Sequence, residues 1–178
     1  MSTSRKGDAP SGAAPAFLCD HMLGSLARWL RFLGYDTLYP GPAGDDDILR
    51  LAREEGRIIV TRDRGLAARA GPGAILLSSL VLDEQILQLR GAAGLDLDGP
   101  GRMMRCPKCN SALTATTKEE VEKLARGGSA SGQAIPENIL GRHSEFWRCP
   151  GCGQVYWHGS HYDRIIGKIG ELEKGSRQ

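Results

Sequence analysis

A chain of 178 residues can bury one main core and a small satellite module, and 40% hydrophobic with 25% charged residues is an ordinary globular composition. No apolar run approaches membrane-spanning length, and residues 1–15 contain no apolar block of the kind a secretory signal needs. The net charge of +2 is unevenly placed: residues 1–100 carry 11 Lys and Arg against 13 Asp and Glu, and residues 101–178 carry 12 against 8, which gives −2 and +4. An acidic part attracts cations and a basic part attracts phosphate, although solvated surfaces alone produce an imbalance of this size.

Residues 1–15 read as a disordered tail. Ala16 to Asp20 (AFLCD) is an apolar run suited to one inner strand. The stretch HMLGSLARWLRFLG then sets Leu23, Leu26, Trp29, Leu30 and Leu33 on one helical face and Ser25, Arg28 and Arg31 toward the other, with Gly34 as its stop. Tyr35 to Tyr39 predicts a second strand, PGPAG a loop, and Asp45 to Gly56 a second helix with acids at its start. Ile58 to Asp63 (IIVTRD) is a β-branched strand that ends on an acid and opens a helix to about Ala70. Ala74 to Leu80 predicts a fourth strand, followed by a helix from about Asp83 to Arg90. This alternation predicts an α/β fold with a mostly parallel sheet covered by helices on both faces over residues 16–94.

Residues 95–101 (LDLDGPG) read as a linker, and residues 102–178 as a second module. Four of the five cysteines fall as Cys106-Pro-Lys-Cys109 and Cys149-Pro-Gly-Cys152, a spacing suited to tetrahedral zinc and too local for a secreted disulfide framework. A long insert between the pairs contains a short helix (TKEEVEKLARGG). Strand-like EFWRC and QVYWHG bracket the second pair, and SHYDRIIGKIGELEK closes the chain as a helix. The fifth thiol, Cys19, reads as inert packing in its apolar strand.

Parallel strands bring their carboxyl ends to one crevice, so Asp20, the Asp45-Asp46-Asp47 cluster and Asp63 are expected to converge. Carboxylates there would hold Mg²⁺ or Mn²⁺, which activates water and neutralises charge developing on a phosphodiester. The plainer reading makes Asp45, Asp63 and Asp83 helix caps. Asp20 is harder to explain so, because an acid closing an apolar strand needs a partner. Other acidic-site folds fit poorly. Cys19-Asp20-His21-Met22 lacks the Asp-x-Asp of haloacid dehalogenase phosphatases. A receiver domain needs paired acids at that place and a distal Lys, yet no Lys lies between Lys6 and Lys108, and no Gly-x-Gly-x-x-Gly follows the first strand.

The runs CDHMLGSLARWLRFLGYDTLY, DDDILRLAREEGRIIVTRD, RCPKCNSAL and RCPGCGQVYWHGSHYDRI resemble the PIN-like ribonuclease family called the Mut-seven C-terminal RNase domain, from Phe17 to about Ile166. The resemblance implies a PIN-like nuclease domain fused to a zinc ribbon, with Cys106, Cys109, Cys149 and Cys152 on structural zinc. It also implies a metal-dependent ribonuclease whose catalytic acids map onto Asp20, the Asp45/Asp46 pair and Asp63, with Asp20, Asp46 and Asp63 on Mg²⁺ or Mn²⁺. Many PIN nucleases have a further acid after the third-strand Asp, whereas Arg64-Gly65 follows Asp63 here. Asp47 or Asp83 could supply a replacement, but an exposed helix-start position is the favoured reading of either.

Ser25, Arg28, Arg62 and His161 are candidate RNA contacts, each with an ordinary surface or docking role as its alternative. His158 is not needed on zinc when four thiols complete the site. Trp147, Tyr156 and Trp157 are placed either to stack on bases or to form the small module's core. The expectation is a cytoplasmic ribonuclease with RNA as its partner and no membrane contact. The alternatives are a non-catalytic RNA- or ribosome-binding protein and, ranked below it, the toxin half of a toxin–antitoxin pair.

Overall fold

The computed structural model describes residues 14–99, 101–127 and 131–175; of the expected tail, residues 1–13 lie outside the described residues. The first sheet is wholly parallel in the order β2-β1-β3-β4, from β1 (Phe17–Cys19), β2 (Thr37–Leu38), β3 (Ile58–Thr61) and β4 (Ala74–Leu76). Its helices are α1 (Gly24–Phe32), α2 (Asp45–Glu54), α3 (Arg64–Ala70) and α4 (Leu82–Ala93).

Strand alternation divides the core in two. Phe17, Cys19 and Val60 point to one face, where they meet Leu26 and Leu30 of α1 and Ile86 and Leu89 of α4. Leu18 and Ile59 point to the other, against Ile48, Leu49 and Ala52 of α2 and Leu66 of α3. β4 is shorter than its apolar run predicts. Leu77 N–H donates to the Thr61 carbonyl, the last that β3 offers before the chain turns into α3, so residues 78–81 leave the sheet and Leu80 is exposed.

The cysteine module is a three-stranded antiparallel sheet, β5 (Thr114–Thr116), β6 (Phe146–Arg148) and β7 (Val155–Trp157), in that order. Helices α5 (Lys118–Gly127) and α6 (Glu137–Arg142) lie in the insert, and α7 (Ser160–Gly175) closes the chain. β5 and α6 carry little apolar pattern, so their sequences do not announce them. Ile169 and Leu172 of α7 are buried in the core of the first sheet, as are Leu95 and Leu97 of the stretch expected as a linker. Gly34, at φ +95°, lets that stretch close: a side chain there would strike the Gly101 carbonyl.

Arg31 does not lie on the solvent face of α1. It is 6% exposed, because the first cysteine loop covers it. Its Nε donates to the Thr37 carbonyl (2.8 Å), and its Nη1 to the carbonyls of Pro107 (3.2 Å) and Lys108 (3.1 Å). Beside it, Asn110 Oδ1 accepts the Thr37 N–H (3.0 Å) and Asn110 Nδ2 donates to Asp36 (2.8 Å). Asp36 also pairs with Arg57 (2.6 Å) and Arg105 (3.1 Å), so one carboxylate ties both modules together.

Partial burial pushes the Asp36 carboxyl up, but hydrogen bonds from Arg57 and Asn110 and the charges of Arg57 and Arg105 outweigh it and hold the group below the usual carboxylate range. Its stabilising contribution is therefore complete above the unfolded pKa of about 3.9 and is lost as pH falls through the lowered folded value. Asp36→Ala should cost about 2 kcal/mol in urea unfolding near neutral pH, less than at a fully buried pair because Asp36 is partly exposed. An unchanged midpoint would show that the ion-paired seam contributes nothing.

Candidate active site and metal centre

β1 and β3 are neighbours, and the chain leaves each through an acid. Asp20 N–H still bonds the Val60 carbonyl (3.1 Å), which extends the ladder by one step and fixes the carboxylate at the carboxyl edge of the sheet. Asp20 is 2% exposed. One oxygen accepts the Met22 N–H (2.7 Å) of the short 3₁₀ turn at residues 21–23, and the other accepts the hydroxyl of Thr61. The same hydroxyl accepts the Asp63 N–H (2.9 Å). Thr61 thus joins the two strand ends, a role that its position as the polar last residue of an apolar strand could have signalled. Asp63 is exposed and caps α3, its Oδ1 accepting the N–H groups of Gly65 (2.6 Å) and Leu66 (3.0 Å).

Asp45 and Asp46 are not helix caps: Gly44 holds that position on α2, and both carboxylates pair with Arg69 at the end of α3. Asp46 is 92% exposed. Asp47 pairs with Arg50, and Asp83, in the first turn of α4 after its cap Val81, pairs with Lys168. Among the described residues, the one set of three or more His, Cys, Asp or Glu ligand atoms within 4.8 Å of one another is the cysteine set. The structure therefore links Asp20 and Asp63 through Thr61 and holds Asp45 and Asp46 on a separate basic partner.

Ser25 and Arg28 lie exposed on α1, and His161 is exposed on the first turn of α7. All three border a cavity between α1 and the second module. Arg62 is half-buried beside Asp63, and its Nε is buried with no hydrogen-bond partner among the described residues. The His158 ring stacks on Tyr162 (4.0 Å) and lies tilted against Trp147 (4.6 Å), and it is not part of the four-thiol set.

The two cysteine loops are built alike. Asn110 and Gly153, the residues after each pair, sit at φ +72° and +73°, and their N–H groups donate to the carbonyls of Cys106 (2.8 Å) and Cys149 (2.9 Å). Asn and Gly are the residues that tolerate this left-handed turn. Across the loops, Cys109 and Cys149 sulfurs lie 3.3 Å apart and those of Cys106 and Cys152 lie 3.6 Å apart. Tetrahedral zinc at about 2.3 Å from each sulfur places sulfurs about 3.8 Å apart, so the set fits the metal.

The thiols also differ in acidity. Burial opposes ionisation of Cys109, but hydrogen bonds from Ser111 outweigh it and draw the thiol down to about 6, whereas burial and the neighbouring thiols push Cys152 up to about 12. A divalent cation would offset the repulsion that otherwise resists four thiolates in one place. Tyr156 packs on this cluster, its hydroxyl 3.0 Å from Cys106 Sγ, and Trp147 and Trp157 are partly buried in the small cores beside it.

Fold and site together define a class: a parallel α/β domain with acids at its carboxyl edge, joined to a ribbon whose four clustered thiols have the geometry to hold a metal. The chain belongs to the Mut7-C RNAse domain family, whose model matches residues 15–169. It is 26% identical over an alignment of 230 residues to "Exonuclease mut-7 homolog" of Homo sapiens, an alignment covering 90% of this chain and 26% of that protein. The chain therefore spans about a quarter of that relative's length. No solved structure matches the chain.

If the four thiols hold a structural metal, a strong chelator, like the substitution Cys149→Ser, should melt the β5–β7 module and expose Arg31, read as lost circular dichroism and faster amide exchange around Thr37. Full structure in metal-free protein would refute a structural metal. Burial pushes the Cys19 thiol far above its ordinary value, so Cys19 should resist alkylation in the native chain and react only after denaturation.

Proposed function

We propose that the chain is a cytoplasmic metal-dependent ribonuclease that hydrolyses RNA phosphodiester bonds at the carboxyl edge of the parallel sheet, with a structural zinc ribbon aiding RNA binding. The observation that carries the reading is Asp20: a carboxylate 2% exposed, at a strand end, hydrogen-bonded by Met22 and Thr61 but with no basic side chain paired to it among the described residues. A buried charge without a counterion is costly, and a hard cation removes that cost. Family membership supports the same reading. Free thiols suit a reducing compartment, and among the described residues no helix is long and apolar enough to cross a membrane.

Asp20 and Asp63 are the residues we assign to Mg²⁺ or Mn²⁺. Mg²⁺ is commonly held by one or two carboxylates, its remaining positions going to water and substrate phosphate, which suits two acids linked through the one Thr61 hydroxyl. When bound, the ion would polarise the phosphodiester and acidify a coordinated water. Thr61 orients Asp20 by donating to its carboxylate. Asp46 and, after it, Asp45 are assigned as further acids, which would have to leave Arg69 to hold the cation. The guanidinium of half-buried Arg62, beside Asp63, is assigned to a phosphate oxygen, and exposed Ser25 and Arg28 on α1 are assigned to the same strand.

The second reading, a non-catalytic RNA-binding protein, draws on the capping bonds of Asp63 and the ion pairs of Asp45 and Asp46. Asp20→Asn and Asp63→Asn should each lower Mg²⁺- or Mn²⁺-dependent cleavage of RNA by about a thousandfold or more, the rate equivalent of several kcal/mol of transition-state stabilisation, while the protein stays folded. Cleavage by both variants at the unmodified rate would end the hydrolytic assignment. Salt-sensitive RNA binding with no cleavage by any form would establish the second reading.

A further inference from the structure

A cavity of about 990 Å³ opens between α1, the ribbon, α6 and the first turns of α7. None of Asp20, Asp45, Asp46 or Asp63 lines it, yet its wall is basic: Arg28, Arg142, Arg164 and Lys168 face a single lining acid, Asp163. Lys168 is neutralised by Asp83 at 2.8 Å. Arg28, Arg142 and Arg164 come from three different helices, are exposed, and have no carboxylate partner among the described residues. Elsewhere Arg50, Arg57, Arg69, Arg102, Arg105 and Arg126 all hold ion pairs. Three of the chain's four histidines, His143, His158 and His161, line the same cavity.

Aromatic surface accompanies the charge. Trp29 of α1 and Trp157 of β7 both line the cavity and are only partly buried. Gly159 makes room for the Trp157 indole: a Cβ there would fall 2.8 Å from its Nε1. A groove that offers unpaired guanidinium groups beside indole rings matches a polyanion that carries flat bases, and bases reach such rings only when unstacked from a duplex. Arg28 also ties the groove to the acids, since it lies eight residues beyond Asp20, roughly 13 Å along the turn and helix that begin there.

We propose that this junction groove is the track for a single-stranded RNA segment flanking the scissile bond. Its phosphates meet Arg28, Arg142 and Arg164, and its bases stack on Trp29 and Trp157. The proposal rests on the ribonuclease reading for its substrate and adds where the strand lies. It also assigns Arg142, Arg164, Trp29 and the joint between the modules to RNA.

The test uses the full zinc-loaded chain and a fluorescein-labelled single-stranded oligouridylate, by anisotropy without added Mg²⁺ or Mn²⁺. Arg142→Glu and Arg164→Glu should each weaken binding about tenfold and lower the salt dependence by about one ion, with Arg142→Gln and Arg164→Gln smaller in the same direction. Arg53→Glu, on the far side of the sheet by α2, should match the unmodified chain. Oligouridylate should quench tryptophan fluorescence, and inorganic polyphosphate should not. Groove variants that bind within about twofold of Arg53→Glu would overturn the proposal. So would failure of the unmodified chain to bind the oligonucleotide, which would leave the groove to an acidic polypeptide. Groove-dependent binding without cleavage would uphold the track and remove the hydrolytic reading; cleavage with unimpaired groove variants would do the reverse.

Discussion

The burial of one guanidinium holds this molecule in its working shape. Arg31 leaves α1, crosses the end of β2 and spends its donors on three carbonyls, two of them in the Cys106–Cys109 loop. Burial lowers its pKa, and the charges of Cys19, Cys106 and Cys109, when ionised, work the other way. A four-thiolate zinc site carries net negative charge, so a buried cation against its backbone is electrostatically matched to it. Folding of the cysteine loop and docking of the ribbon are therefore coupled, and the ribbon is no freely tethered appendage. Asp36, Asn110, Arg57 and Arg105 reinforce the same seam.

Two consequences follow for chemistry. The junction groove exists because the ribbon is docked: its walls come from α1 on one side and from α6, β7 and α7 on the other. The acids of the sheet depend on a different device, the parallel pairing of β1 with β3, which places Asp20 and Thr61 side by side at one edge. The strand-end acids and the junction groove thus rest on separate parts of the fold, linked by α1, which follows Asp20 after one short turn and carries Arg28 to the groove. Mutations in the seam should disturb the groove before they disturb the sheet.

Charge is divided along the same line. Among the described residues, the acidic first hundred hold Asp20 and Asp63 without basic side-chain partners, while the basic remainder supplies Arg142 and Arg164 without acidic ones. Most other charged groups near them are paired: Asp45 and Asp46 with Arg69, Asp47 with Arg50, Asp83 with Lys168. Unpaired charge of opposite sign on the two modules suits a cation at one and a polyanion at the other.

Much of this architecture was written in local pattern. Hydrophobic alternation in FLC and IIVT, the 3.6-residue spacing in α1 and α2, and the two Cys-Pro-x-Cys loops are short-range signals, because strand, helix and knuckle are each stabilised by residues a few positions apart. They identified the parallel sheet, the four-thiol cluster and the position of Asp20 and Asp63 at strand ends. Only the tertiary structure could decide that Arg31 is buried, that Leu95, Leu97 and α7 belong to the first core, that β4 stops at Leu76, and that Asp46 faces Arg69. Each of those depends on which distant segment lies alongside, and residues like Asn110 or Thr61 look the same in sequence whether they meet solvent or a carboxylate more than forty positions away.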